Sequence, residues 1–210
     1  MFKADYDINV GNKRTSQQDA IYCDQKNGVF AVADGMGGMN SGDLASAKAI
    51  DCVEEFSVQE NKSIEELLRI SQLGNSELFH FQHGNAGSTL SAMWINDGKS
   101  YIIHIGDSRI YHLSNGDFKQ ITKDHNLAGN PYVLLRYFGD PSGNFDTHVI
   151  DVSSGDKFLM CSDGLHGEVS DHIIYAIMET SSVEVIVSEL MKEVLSTKAR
   201  DNISMVAIEI

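Results

Sequence analysis

Five aspartates stand where an apolar, strand-like run ends or begins. Val29-Phe30-Ala31-Val32-Ala33 runs into Asp34-Gly35, Tyr101 to Ile105 into Gly106-Asp107, and Lys157 to Cys161 into Ser162-Asp163-Gly164. Arg200-Asp201-Asn202 enters the last such run, and Gln18-Asp19 an early one. Strand ends are rigid and loops expose them, so several can converge on one cleft. A neighbouring glycine lets the backbone approach closely and frees a carbonyl to act as a ligand. Carboxylates gathered without basic partners repel one another, and their pKa values rise unless cations neutralise them. An all-oxygen donor set suits Mg²⁺ or Mn²⁺ better than zinc or copper. Each aspartate alone is better read as a turn former. The cation reading rests on the ordered set.

Arg14 lies five positions before Asp19 in a polar stretch. Beside an acid cluster its planar guanidinium suits bidentate binding of a phosphate oxygen pair; alone it reads as a surface arginine. His80 and His83 have one-turn spacing and no third ligand nearby, so they read as a polar helix end. His104 and Trp94 read as core, and His125 as the organiser of a loop. Gly35-Met36-Gly37-Gly38 is no Walker-type phosphate loop, because no Gly-Lys-Ser/Thr follows. Met36 and Met39 are candidates for the cleft rim, with core packing the commoner reading of a methionine.

The elements that must carry these residues come in blocks. Residues 6–10, 20–23 and 29–33 read as strands, the last two joined by hairpin chemistry at Lys26-Asn27-Gly28. A helix over 42–56 has Leu44, Ala47, Ile50, Val53 or Val58, and Phe56 available for one apolar face. A second starts at Ser63, capped with Glu66, and runs towards Phe81 with a break at Gly74. Strands follow at 91–95, 100–106, 110–113 and 118–121, turned at Asn96-Asp97-Gly98 and Asn115-Gly116. Residues 147–152 and 157–161 read as a further pair around Ser154-Gly155. Two helices follow, 171–179 and 182–195, the second capped by Ser181 with Glu184, and a strand over 205–210 closes the chain. Meandering strands with helices in separate blocks predict an α+β fold with helices packed on antiparallel sheets.

The chain has 210 residues, 42% apolar and 22% charged, enough for one sizeable core. Sixteen basic against thirty acidic residues leave a formal charge of -14, which argues against a nucleic-acid surface or a polybasic membrane patch. The same charge predicts local attraction of an anionic substrate at Arg14 and the cations, without long-range steering. There is no bilayer-length apolar run and no signal-peptide pattern. Cys23, Cys52 and Cys161 read as buried, reduced thiols of a cytoplasmic protein.

Taken in order, Arg14 with Gln18-Asp19, Val32-Ala33-Asp34-Gly35-Met36-Gly37-Gly38, Gly87-Ser88-Thr89, Ile105-Gly106-Asp107-Ser108-Arg109, Lys123-Asp124-His125, Cys161-Ser162-Asp163-Gly164 and Asp201-Asn202 resemble the metal-dependent protein phosphatases of the protein phosphatase 2C (PPM) family, in its compact bacterial form. The resemblance covers nearly the whole chain. It implies a single domain over 1–210, an α-β-β-α sandwich of two mostly antiparallel sheets with a metal site at one end. It implies two Mn²⁺ or Mg²⁺ ions and, in many bacterial members, a weaker third. Asp34 resembles the acid that bridges the two ions, and Gly35 supplies a carbonyl ligand. Asp163 and Asp201 resemble ligands of the first ion, and Asp107 shares the third with Asp163. Arg14 resembles the phosphate-binding arginine, and Asp19 the acid that hydrogen-bonds the water held by the ions. The implied activity is hydrolysis of phosphoserine and phosphothreonine in proteins by activated water, with no protein nucleophile. The implied setting is a cytoplasmic monomer opposed to a serine/threonine kinase, with neither nucleic acid nor membrane as partner.

Three positions depart from the family pattern. Gln18 stands where many relatives carry glutamate. Met36 occupies the place of a histidine of eukaryotic relatives. Residues 126–146 form a shortened flap, which predicts a more open cleft. These departures leave two other readings open: a low-turnover phosphoprotein-binding member, and a narrow regulator that dephosphorylates one partner.

Overall fold

The computed structural model describes residues 2–36 and 41–210. Gly37, Gly38 and Met39 of the motif after Asp34 lie outside the described residues. In chain order the strands β1 (Lys3–Asn9), β2 (Asp19–Asp24) and β3 (Val29–Asp34) precede the helices α1 (Gly42–Ser57) and α2 (Ile64–Gln82). Then come β4 (Leu90–Asn96), β5 (Lys99–Ile105), β6 (Arg109–Ser114), β7 (Asp117–Gln120), β8 (Asn126–Leu127), β9 (Asn130–Leu134), β10 (Asp146–Asp151) and β11 (Lys157–Cys161). The helices α3 (Asp163–His166), α4 (Asp171–Thr180) and α5 (Val183–Ser196) lead to β12 (Ile203–Glu209).

Ten strands form two five-stranded sheets, ordered β1-β12-β11-β6-β7 and β10-β5-β4-β3-β2, and every pairing within them is antiparallel. Alternation along the strands explains the layering. In β3, Phe30 and Val32 meet Phe158 and Met160 of β11 and Val206 and Ile208 of β12 between the sheets. Val29, Ala31 and Ala33 point the other way, onto Ala45, Ala49, Val53 and Phe56 of α1 and Leu67 and Leu78 of α2. Leu159 and Cys161 likewise leave the sandwich to pack on α4 and α5 through Ile174, Met178, Ile186 and Leu190. The central strands are thus buried on both faces and read as unbroken apolar runs. The predicted α+β sandwich holds, with four layers. Among the described residues no helix is long and apolar enough to cross a membrane.

The hairpin turns follow their residues. Asp97 and Gly98 both take positive φ (48° and 71°), as do Asn115 and Gly116 (50° and 80°), the backbone that two-residue hairpins require. Ser63 caps α2 by accepting from the Glu66 N–H, while the Glu66 carboxylate goes to Arg69 instead of completing the box.

Several expectations are corrected. β10 does not pair with β11; it is the edge partner of β5, whereas β11 lies between β12 and β6 in the other sheet. The turn at Ser154-Gly155 carries the chain from one sheet to the other. α2 runs without a break through Gly74. A Cβ there would lie 2.2 Å from Cys52 Sγ, so the glycine serves the close approach of α1 and α2. Leu44 and Val58 are exposed, because the buried stripe of α1 is Ala45, Ala49, Cys52, Val53 and Phe56. Ser182, not Ser181, is the N-cap of α5. Cys23 is only half-buried; all three cysteines are free. The short elements α3, β8 and β9 were not anticipated.

The Gly74 contact makes a prediction. Gly74→Ala gains helix propensity of about 1 kcal/mol but drives a methyl into a buried thiol, which costs more. Net destabilisation of about 1–2 kcal/mol is expected in urea titrations. Adding Cys52→Ala should remove most of it, so strictly additive effects would rule out the steric explanation.

Candidate active site

The five aspartates converge at one end of the sandwich, each delivered by a different strand end. Asp19 opens β2 and Asp34 closes β3, and the pairing register sets them opposite one another. The backbone at Asp34 is pinned by the Gly87-Ser88-Thr89 segment. The Thr89 N–H donates to the Asp34 carbonyl (2.8 Å), as does the Ser88 hydroxyl (2.9 Å), and Thr89 Oγ1 accepts from the Asp34 N–H (2.9 Å). Thr89 Oγ1 also lies 2.6 Å from Ser108 Oγ, tying this strand end to the turn that carries Asp107. Gly106 makes that turn at φ 106°, and a Cβ on it would meet Thr89 at 2.6 Å. The Gly35 N–H bonds the Gln18 carbonyl (3.1 Å), and a Cβ on Gly35 would lie 2.2 Å from the Gly42 carbonyl oxygen.

Asp163 opens α3 directly after β11. Here Gly164 is obligatory, since a Cβ would fall 1.8 Å from the Asn202 carbonyl oxygen. Asn202 does more than its place in the motif suggested. It is buried, accepts from the Gln18 N–H (2.8 Å), and donates to the carbonyls of Val10 and Ser16 (3.0 Å each). It therefore sets the path of the loop carrying Arg14. Arg14 is bonded to Asp201 through Nε–Oδ1 (2.9 Å) and Nη2–Oδ2 (2.7 Å). The expected phosphate anchor and one expected metal ligand thus form a bidentate pair.

Electrostatics bear out the crowding. Burial is the largest cause for each perturbed acid, and the neighbouring carboxylates add to it. Asp34 is held well above the usual carboxylate range by burial and then by Asp19, Asp163, Asp107 and Asp201. Asp107 is pushed up to about 7 by burial, Asp163 and Asp124. Asp19 and Asp163 are raised too, burial again leading. Both carboxylate oxygens of Asp19 are buried and make no hydrogen bond of good geometry; the Ser204 and Ser162 hydroxyls ease its charge without offsetting the burial. A buried carboxylate so poorly satisfied beside repelling acids is a costly arrangement that a cation offsets. The donors are carboxylate and carbonyl oxygens alone, which fits a hard divalent ion. Among the described residues no three acidic, histidine or cysteine side chains already form a closed coordination shell. Asp201 in particular is turned to Arg14.

Beside the cluster lies a cleft of about 150 Å³ lined by Tyr132, Asp163, Gly164, Glu168, Arg200 and Asp201. The Met36 N–H bonds the Gly87 carbonyl (2.9 Å), and its Cε is the atom a Cβ on Gly87 would strike. The 126–146 segment holds the hairpin β8-β9 and no helix. His125 anchors it as expected. Its N–H bonds the Gly106 carbonyl (2.8 Å), Nδ1 accepts from the Gly106 N–H (3.1 Å), and Nε2 meets Asp146 (3.0 Å), itself paired with Arg136 (2.8 Å). His104 is fully buried between Ser91 and the Lys123 carbonyl, and burial lowers it to about 3. His166 was not singled out by the sequence, yet its Nε2 lies 3.0 Å from the Asp107 carbonyl oxygen. Burial, with Arg109 adding, lowers it to about 4, so the ring is neutral near pH 7.

Comparison with known proteins gives a consistent result. The sequence profile described as Protein phosphatase 2C matches residues 12–202. The serine/threonine protein phosphatase PstP of Mycobacterium tuberculosis is 26% identical over 224 residues, covering 95% of this chain and 43% of PstP. The chain thus spans less than half the length of that relative. The serine/threonine phosphatase Stp of Listeria monocytogenes (serovar 1/2a) is 30% identical over 215 residues, covering 86% of this chain and 84% of Stp. The crystal structure of the PstP catalytic domain in complex with two manganese ions superposes with a TM-score of 0.91 at 26% identity, covering 99% of this chain and 97% of that one.

Proposed function

The chain belongs to the protein phosphatase 2C family, and from this we propose that it hydrolyses phosphoserine and phosphothreonine in proteins, using Mn²⁺ or Mg²⁺ and water. The observation that carries the reading is the convergence of Asp19, Asp107, Asp163 and Asp201 on Asp34, with no hydrogen bond of good geometry to either oxygen of Asp19. Asp34, the Gly35 carbonyl, Asp163 and Asp201 would hold the two main ions, and Asp107 with Asp163 would hold a third. When bound, the cations supply the charge that makes water nucleophilic near neutral pH and that balances the phosphoryl oxygens.

The chain's own residues do the rest. Arg14 holds two phosphoryl oxygens in bidentate fashion and orients the phosphorus for in-line attack. For this it turns from Asp201, its present partner, which frees that acid for the cation. Asp19 has unused acceptor capacity on both oxygens, suited to orienting the attacking water. Gln18 contributes backbone, accepting from Gly35 and donating to Asn202; its neutral side chain lies by the start of α1. The proposal extends to a shortened flap over 126–146, supported by the two short strands found there, and to a monomeric protein opposed by a serine/threonine kinase. The cytoplasm is the proposed setting, supported by three free thiols.

The test is hydrolysis of a phosphothreonine peptide with Mn²⁺, with EDTA, and with Arg14→Ala. Turnover should require Mn²⁺, and Arg14→Ala should lower kcat/KM by about 10²-fold or more. A folded, Mn²⁺-binding protein without turnover on any phosphopeptide overturns the hydrolase reading in favour of a phosphoprotein-binding role.

A further inference from the structure

The Asp107 turn and the Asp163 helix bring two acids of like charge close enough for Asp163 to act on Asp107. Something other than their side chains must therefore hold them together. The four-residue α3 runs from Asp163 to His166, and this i, i+3 spacing sets the two on the same side of the turn. His166 Nε2 reaches across to the Asp107 backbone carbonyl at 3.0 Å. A carbonyl only accepts, so Nε2 carries the hydrogen. The preceding peptide is held from elsewhere, with the N–H and carbonyl of Gly106 both bonded to His125. The β6–β11 ladder, which ends at Arg109 opposite Cys161, brings the two strand ends side by side, and His166 adds a bond from the helix bearing Asp163 to the Asp107 turn itself.

We propose that His166 is a positioning residue that sets the spacing of Asp107 and Asp163 and thereby the cation affinity of the site they share. The inference rests on the roles given to those two aspartates under the proposed function. Groups that orient metal ligands without touching the metal are worth about 10- to 100-fold in affinity.

Two amide substitutions separate position from polarity. His166→Gln keeps a nitrogen donor near the place of Nε2; His166→Asn stops near the place of Nδ1, too short to reach Asp107. Chelator-stripped protein is titrated with Mn²⁺ alone, followed by calorimetry and by electron paramagnetic resonance of the free ion. His166→Gln should bind as the unaltered protein does. His166→Asn should weaken the weakest class of site by about 10-fold or more and leave the tighter sites unchanged. Should the Asn variant not fold, His166→Met fills the space without a donor and carries the same expectation. Equal binding by the Gln and Asn variants, or uniform weakening at every site, overturns the inference. Asp107→Asn is the control. If it loses no Mn²⁺, the assignment of Asp107 falls and this inference with it. If it loses one while His166→Asn loses no affinity, only the role of His166 falls.

Discussion

Asp163→Asn should abolish phosphopeptide hydrolysis, by about 10³-fold or more in kcat, and at the same time raise the melting temperature of the EDTA-treated protein. The activity loss follows from removing a charged group that the proposed function makes a ligand of both a main and a third ion. A bound cation contributes several kcal/mol to the transition state, and each 1.4 kcal/mol is tenfold. The gain in stability follows from the same crowding. Asp163 is raised by burial and by Asp201, so its charge opposes folding when no cation is bound. Asparagine has nearly the same shape and no charge. Gly164 and the short α3 are unaffected by the change, because the Cβ clash that fixes Gly164 is with Asn202 backbone. Differential scanning calorimetry in EDTA, beside a steady-state assay in Mn²⁺, reads both effects. A variant with full activity would falsify the ligand assignment. A variant that loses activity and also melts lower would mean that Asp163 acts by holding the fold.

The second large effect is the pH dependence of stability without metal. Asp107 has a folded pKa of about 7 against 3.8 for the ordinary group, burial being the main cause. Between those values the folded chain binds the proton and the unfolded chain does not. Unfolding free energy therefore falls as pH rises through that window. A shift of about three units corresponds to about 4 kcal/mol, on the order of 10 °C in melting temperature for a chain of this size. Asp19, Asp34 and Asp163 are shifted in the same direction. The opposite sign belongs to the buried imidazoles of His104 and His166, lowered to about 3 and about 4, whose contribution is complete above about pH 6.5 and is outweighed by the four raised acids, and to Asp146, which the Arg136 bond and then His125 lower. Its contribution is present above pH 4 and lost on further acidification. Metal-free protein should thus be most stable near pH 4–5 and melt progressively lower to pH 8. Saturating Mn²⁺ should reverse the trend, since cations compete with protons for the same oxygens and stabilise the state they bind. An EDTA curve that is flat or rises between pH 5 and 7 would contradict the crowded, uncompensated cluster.

Much of this was legible from short patterns. Asp97-Gly98 and Asn115-Gly116 specify hairpins because few other residues accept positive φ at both turn positions. The alternation in β3 and β11 reports two-sided burial because side chains leave a strand on opposite faces. What failed was partner choice. Ser154-Gly155 is good turn chemistry whichever sheet the next strand joins. β11 carries apolar side chains on both faces, Phe158 and Met160 on one and Leu159 and Cys161 on the other. It therefore occupies a central place between β12 and β6 and leaves β10, exposed at every second residue, to an edge of the other sheet. Gly74 failed similarly: its helix-weakening tendency is local, but the thiol it must clear lies on α1.

Which aspartates stand at strand ends, what ions their oxygens suit and which family pattern they follow can be read from residue types and their order alone, because those properties depend on neighbours a few positions away. The tertiary structure decided how they meet. It bonds Arg14 to Asp201 across 187 positions, leaves the Asp19 carboxylate without a hydrogen bond of good geometry, and brings His166 to the Asp107 carbonyl from 59 positions away. Such contacts are set by which faces of two sheets must be buried together, a choice that no stretch of local sequence contains.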